Sequence, residues 1–355
     1  MKKRSLLALL VLSMLLLAAC GGKNNAKEET PAENAANNTE AIAETTEPVA
    51  DAVTIKVGHV EPEDRSTHRA LEEFKKNVEE RTNGSIVVEL YPNGALGGDV
   101  QLTESVAMGT LDAALPSTSV LTTYSEDFGA LDMPYFFINA ESAFAALDGE
   151  MGEYFNGKLA ENGIKSLGYS YNGPRSTTTN VKPIEKPEDL KGLKMRVMES
   201  PIFIDFYKTL GANPTPMSFT ELYTGLQQGT VEAQENPPSL IFANKFYEVQ
   251  KYLSVDEHVH NFLVFAINQA KFDSLTDEQK TVIEEEGKNY VDAQRAMELE
   301  DNGAAIEKLA TEGGLEVNTL TDEQKQAFRD ALQPMYDKYQ EQFGTLFEMA
   351  AKFNN

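Results

Sequence analysis

Two arginines and an asparagine in this sequence could converge on one anion. Arg175, Arg196 and Asn236 each fall at or just past the carboxyl end of a short predicted strand, over residues 164–171, 194–197 and 231–234. Helical patterns separate these strands, and open α/β sheets bind ligands in the crevice beyond the strand ends. A guanidinium offers a carboxylate two parallel hydrogen bonds, so the guest that suits such a crevice is a small organic acid. Other dispositions of the same residues stay open at this point. Arg175 could be a surface arginine in a loop, Arg196 could join an interlobe ion pair, and Asn236 could cap the helix that starts after Pro238.

Signatures of catalysis are missing from the sequence. There is no Gly-x-Ser-x-Gly elbow, no His-Glu-x-x-His, no phosphate loop ending in Gly-Lys-Ser/Thr and no Gly-x-Gly-x-x-Gly. The four histidines are His59, His68, His258 and His260. His258 and His260 could share one side of a strand as metal ligands, but no cysteine or third histidine lies near, so a structural or surface role is expected. Glu284-Glu285-Glu286 lacks the spacing of a calcium loop and reads as a solvated helix face. The expectation is a binding protein and not an enzyme, with no metal and no cofactor.

The elements that must position the three residues follow a β-α-β order. Residues 53–59 alternate with period two as a first strand, and a helix follows with Ser66 as its candidate cap and Leu71, Phe74 and Val78 on one face. The next strand, residues 85–91, has the continuous apolar core of a buried parallel sheet. Residues 102–108 read as a short helix and 111–115 as a strand; the helix holding Met151, Tyr154, Phe155 and Leu159 closes at Asn162-Gly163. In the central stretch, Ser200-Pro201 opens a helix that Gly211 ends, and Ser218 with Glu221 forms a predicted capping box for a helix that Gly229 ends. A strand over 261–268 precedes two long polar helices, about 276–310 and 321–350, the second kinked at Pro334. The same hexapeptide, Leu-Thr-Asp-Glu-Gln-Lys, stands before both. Its flanks do not match, so it reads as two Thr-x-x-Gln capping boxes and not as an internal repeat.

The amino-terminal 52 residues have a different character. Lys2, Lys3 and Arg4 precede an apolar run over 6–19 that is short for a membrane span, the pattern of a secretory signal. Leu17-Ala18-Ala19-Cys20 has the form of a lipobox, in which acylated Cys20 becomes the new amino terminus. Cys20 is the single cysteine, so no intramolecular disulfide can form. The stretch from Gly21 to Ala52 holds two lysines against six glutamates and one aspartate, a charge of −5, with almost no large apolar residue. It reads as an extended, disordered stalk. The full chain of 355 residues has a formal net charge of −25. Without the three positive charges of the signal it stands at −28, which argues against nucleic acid or an anionic lipid surface as partner. An acidic protein that binds an anion needs locally fixed cations, which returns attention to Arg175 and Arg196.

Several motifs, in order, resemble one family. Pro92-Asn93-Gly94-x-Leu96-Gly97-Gly98 and Gly109-Thr110-Leu111-Asp112 come first. They are followed by the run from Pro214 to Tyr223, then Leu226-Gln227-Gln228-Gly229, Glu235-Asn236-Pro237 and the run from Lys245 to Tyr252. Together they resemble the DctP-type solute-binding proteins of tripartite ATP-independent periplasmic (TRAP) transporters, over about residues 53–343. The resemblance implies an α/β, two-lobed periplasmic-binding-protein-like fold with a long helix spanning both lobes. It implies lobe I from 53–172 plus about 262–300, lobe II from 173–261 plus about 301–333, and a C-terminal helix over 334–355, after a signal over 1–19 and a stalk over 20–52. It assigns Arg196 as principal carboxylate clamp, Arg175 as a second ligand arginine, Asn236 as a polar contact and Phe219 as an aromatic wall, although Phe219 could equally be core. Met198 stands where many relatives have proline, and Pro238 where leucine is common; neither removes a charge from the site. The implied activity is capture of a C4-dicarboxylate, keto acid or sugar acid by a monomer anchored through lipid on the extracytoplasmic face of the cell membrane, with delivery to TRAP integral-membrane permease subunits. A ligand-binding component of a membrane sensory system would keep the same fold and arginines.

Overall fold

The computed structural model describes residues 52–354. Cys20 and nearly all of the expected stalk lie outside the described residues. The described chain begins with β1 (Val53–Gly58), α1 (Ser66–Arg81), β2 (Ile86–Tyr91), α2 (Asp99–Ala107) and β3 (Ala113–Ala114). These form a parallel unit in which β1 pairs with both β2 and β3. Its core packs Ile55, Val57, Leu71, Phe74 and Val88 together, as the period-two and helical stripes require. After two 3₁₀ turns come α3 (Ala140–Leu147) and α4 (Glu150–Ala160).

A second unit contains β5 (Lys194–Val197), α5 (Pro201–Thr209), β6 (Asn213–Pro216), α6 (Phe219–Gln227), β7 (Ala233–Asn236) and α7 (Pro238–Ala243). Here β5 pairs in parallel with β6 and β7. Two long antiparallel strands, β4 (Ile164–Thr179) and β8 (Tyr252–Asn268), run through both units and join them into one sheet of order β2-β1-β3-β8-β4-β7-β5-β6. The result is a two-lobed α/β fold.

The spanning strands are longer than the sequence pattern suggested. The expected strand ended at residue 171, yet β4 continues through Asn172-Gly173-Pro174, and Arg175 lies inside the strand and not beyond its end. The β4–β8 ladder slips in register at Tyr171/Gly173 and again at Arg175/Thr177. Backbone groups freed by such slips must find other partners. The long helix supplies them. After the short helix α8 (Gln269–Asp273), α9 (Asp277–Thr311) spans 35 residues, or roughly 52 Å at 1.5 Å per residue. Ile283 and Tyr290 near one end pack into the first lobe's core, and Leu309 near the other packs into the second's. Between them the buried face turns polar. Gln294 accepts from the Tyr171 N–H at 2.8 Å and donates to the Tyr171 carbonyl at 2.7 Å.

The chain ends with β9 (Glu316–Thr319), α10 (Asp322–Ala331) and α11 (Gln333–Ala351). The expected single kinked helix is two helices broken at Leu332, because Pro334 takes the first turn of α11, where its missing N–H is not needed. Both Thr-x-x-Gln capping boxes form, at Thr276/Gln279 and Thr321/Gln324. The serine caps do not. Ser66 is inside α1 and donates to Glu298, Ser200 donates to Asp132, and the Ser218 hydroxyl bonds Thr220. In each case a tertiary or local partner displaces the helix terminus.

Candidate functional site

The four residues expected at the site, Arg175, Arg196, Asn236 and Phe219, all line one cavity between the lobes. The first lobe contributes Glu61, just after β1, and Asp99, the first residue of α2. The spanning strands contribute Asn172 and Arg175, and the second lobe Arg196, Glu199, Phe219 and Asn236. The walls stand close together, leaving a space of about 20 Å³, the room of about one water molecule.

Arg196 projects from β5 and is almost fully buried. Its Nε and Nη2 both donate to the Met217 carbonyl, at 3.0 and 2.8 Å, which fixes the plane of the guanidinium. The third nitrogen, Nη1, is buried with no hydrogen-bond partner. No carboxylate of the described residues lies within ion-pair distance of Arg196. Burial lowers its pKa to about 10, against the opposing pull of Glu235. The interlobe ion pair left open above therefore does not form. A buried, oriented and unpaired cation facing a cavity is ready to receive a carboxylate.

Arg175 shares the cavity under different conditions. Nε and Nη2 grip the Glu235 carboxylate, Nη2 reaching Oε1 at 2.8 Å, and both side chains are fully buried. Nη2 also donates to the Glu235 carbonyl at 2.6 Å, and Nη1 makes a long contact of 3.4 Å with Asn261. Glu235 in turn meets His258 Nε2 at 3.3 Å, and His258 Nδ1 meets Asp256 at 3.0 Å. Burial alone would raise the Glu235 pKa; Arg175 and His258 overcome it and bring it down to about 2. Burial alone would lower that of His258; Asp256 and Glu235 overcome it and raise it to about 9. Arg175 is thus a buried strand residue whose charge is already balanced. His260 bonds the Tyr171 hydroxyl at 2.6 Å, so the two histidines have separate structural partners.

Asn236 ends β7 and donates to Gln234 at 2.6 Å. It does not cap α7, whose capping position is Pro237. Phe219 begins α6 half-buried, touching Phe246 on one side and the cavity on the other, so it is both wall and core edge.

Acidic residues at the site were not singled out in the sequence. Glu61 accepts from Arg65 at 3.2 Å. Asp99 leaves its Oδ1 buried without a partner; burial, with Glu61 beside it, pushes its carboxyl up to about 7 against the pull of Arg196. Partial desolvation also raises the carboxyl of Glu199, an exposed residue of the lining. Behind the cavity, Arg65 joins both lobes: it donates to Ser239 at 2.5 Å, to Glu298 of α9 at 3.1 Å and to Asn172 at 3.1 Å. At the rim the lobes touch. A Cβ on Gly98 would lie 2.4 Å from Ser218 Oγ, and one on Gly94 2.7 Å from Thr220 Cγ2.

A cleft between two α/β lobes, spanned by paired strands and one helix and holding a buried unpaired cation, defines a solute-binding receptor. The comparisons identify its family. The profile of "Bacterial extracellular solute-binding protein, family 7" (DctP) matches residues 57–342, and the chain belongs to that family. It is 36% identical over 281 residues to the 2,3-diketo-L-gulonate-binding periplasmic protein YiaO of Escherichia coli, covering 79% of this chain and 85% of that one. The sugar acid binding protein of Advenella mimigardefordensis, solved with galactonate, aligns with TM-score 0.82 and 33% identity over 85% of this chain and 99% of that one. A TRAP periplasmic solute binding protein of Shewanella oneidensis, solved with succinate, aligns with TM-score 0.83 and 28% identity over 86% and 100%. The protein is a TRAP-type receptor for organic acids, and its relatives are transport binding proteins.

Proposed function

We propose that the interlobe cavity captures an organic acid by seating its carboxylate on Arg196, without chemical change, and hands it to a TRAP permease. The observation that carries this reading is the buried Arg196 Nη1, oriented by the Met217 carbonyl and lacking a partner. Arg175, its charge held by Glu235, offers its Nη1 edge; Asn236 and Phe219 supply a polar contact and a wall. The narrowness of the cavity means that the lobes part to admit the acid and close over it by hinge motion. Closure excludes water and strengthens the carboxylate–guanidinium contact. Relatives that bind 2,3-diketogulonate, galactonate and succinate support an organic acid here. Acylation of Cys20 would hold the receptor at the outer face of the cell membrane, beside its permease. Calorimetric titration of the protein, unfolded and refolded to remove carried ligand, against sugar acids, keto acids and dicarboxylates tests the reading. One-to-one binding of an acid, abolished in Arg196→Met, is expected; binding that survives in that variant would refute the clamp.

A further inference from the structure

The cavity contains unsatisfied groups of both signs, and they stand on opposite walls. Arg196 Nη1, on β5 of the second lobe, is a buried donor without an acceptor. Asp99 Oδ1, at the start of α2 in the first lobe, is a buried acceptor without a donor. A guest that completes both must bring an acceptor at one end and a donor at the other. Each unmade bond weighs against the closed state, so a ligand that makes both also holds the lobes together.

The charge balance narrows the guest further. Glu235 cancels Arg175, and Arg65 is shared between Glu61 and Glu298. That leaves Arg196 alone against Asp99 and Glu199, neither of which has an ion-pair partner among the described residues. One carboxylate finds its cation. A second, at the far end of a dicarboxylate, would meet Asp99 and Glu199 and no free cation. Hydroxyl groups meet no such repulsion, and Ser117, Asn172 and Asn236 add neutral partners around the same space. An α-amino acid has donors too, but its ammonium group sits beside its carboxylate, against Arg196. A hydroxylated chain extends its donors across to the first lobe.

We infer that the site selects a polyhydroxylated monocarboxylate, a sugar acid, and discriminates against dicarboxylates through Asp99 and Glu199. This rests on carboxylate capture by Arg196. Asp99 Oδ1, buried and without a donor, is the acceptor for a ligand hydroxyl. Glu199 is the charge that repels a second carboxylate.

The test is calorimetry on the full protein with D-galactonate, D-gluconate, succinate, butyrate and L-alanine as probes. A sugar acid should bind at least about a hundredfold more tightly than succinate, since like charges brought together inside an interface are strongly unfavourable. Asp99→Asn should narrow that ratio by about tenfold or more, weakening the sugar acid and strengthening succinate together. Glu199→Gln should strengthen succinate. Thermal melting without ligand checks that both variants fold. Succinate, butyrate or L-alanine binding as tightly as the sugar acids would overturn the inference while leaving capture on Arg196 standing. A ratio unchanged in both variants would also overturn it. Failure of every acid to bind would overturn the capture reading itself.

Discussion

Arg175 and Arg196 line the same cavity, yet replacing each with methionine should have opposite consequences. Arg196 has no anionic partner, and burial holds its guanidinium at about 10 where 12.5 is usual. At 1.36 kcal/mol per pH unit, that net shift corresponds to about 3 kcal/mol against the charged guanidinium in the protein without ligand. Against it stand two charge-assisted hydrogen bonds to Met217, together worth about 3 kcal/mol. The terms nearly cancel, so Arg196→Met should melt close to wild type when no ligand is present. Its ligand, however, would be left with a buried carboxylate unpaired, a loss of about 3–5 kcal/mol, or on the order of a hundred- to several-thousand-fold in affinity. In Arg175→Met the stranded carboxylate belongs to the protein: Glu235, fully buried, loses its two-pronged partner. That variant should lose about 3–5 kcal/mol of stability and melt roughly 5–8 °C lower. Scanning calorimetry on ligand-stripped protein and titration with the preferred acid, both at pH 7, read the two effects separately. If Arg196→Met melted as low as Arg175→Met, or bound within tenfold of wild type, the division of roles would be wrong.

The His258 bridge gives a pH test. A pKa raised from 6.5 to about 9 contributes stability that is fully present below 6.5 and lost as pH rises through 9. His258→Gln should therefore be less stable than wild type at pH 6, and the gap should close by about pH 9.5; urea melts at the two pH values would show a constant gap if the bridge were inert. Thr276→Ala removes the cap of the spanning helix and should cost about 1 kcal/mol, measured by the urea midpoint, with no change at all counting against the cap. Gly98→Val keeps an ordinary backbone conformation but places a side chain against Ser218, so ligand should dissociate faster while the ligand-free stability changes by about 1 kcal/mol or less. Stopped-flow dissociation at the wild-type rate would show that the rim contact does not guard the cavity.

The local signals in the sequence translated well into structure where helices end in side chains that have no competing partner. Thr276 and Thr321 cap as their spacing predicts because both lie exposed at helix starts. Ser66, Ser200 and Ser218 have the same local chemistry but are drawn away, the first two by buried carboxylates of other elements, Glu298 and Asp132, which no local pattern encodes. The length of β4 was hidden for a related reason. Asn172-Gly173-Pro174 has turn chemistry, and Gly173 does adopt a positive φ of 120°, but Gln294, distant in sequence, receives the neighbouring backbone and keeps the strand running. Arg175 consequently appeared to lie beyond a strand when it lies within one.

The site shows the same limit in terms of charge. Arg196 and Asn236 could be selected from strand order, since chain direction decides which ends face the crevice. Glu235 sits next to Asn236 in the sequence, but its pairing with Arg175 depends on the antiparallel alignment of β7 with β4, in which Glu235 stands opposite Thr177. Without that register the two arginines look equivalent, and a two-arginine clamp is the natural expectation. With it, one arginine is paired inside the fold and the other is left without an anionic partner at the cavity. Buried unpaired charge is unfavourable in a folded protein unless something offsets it. At Arg196 the two bonds to the Met217 carbonyl offset most of it, while Nη1 is left facing the cavity without a partner.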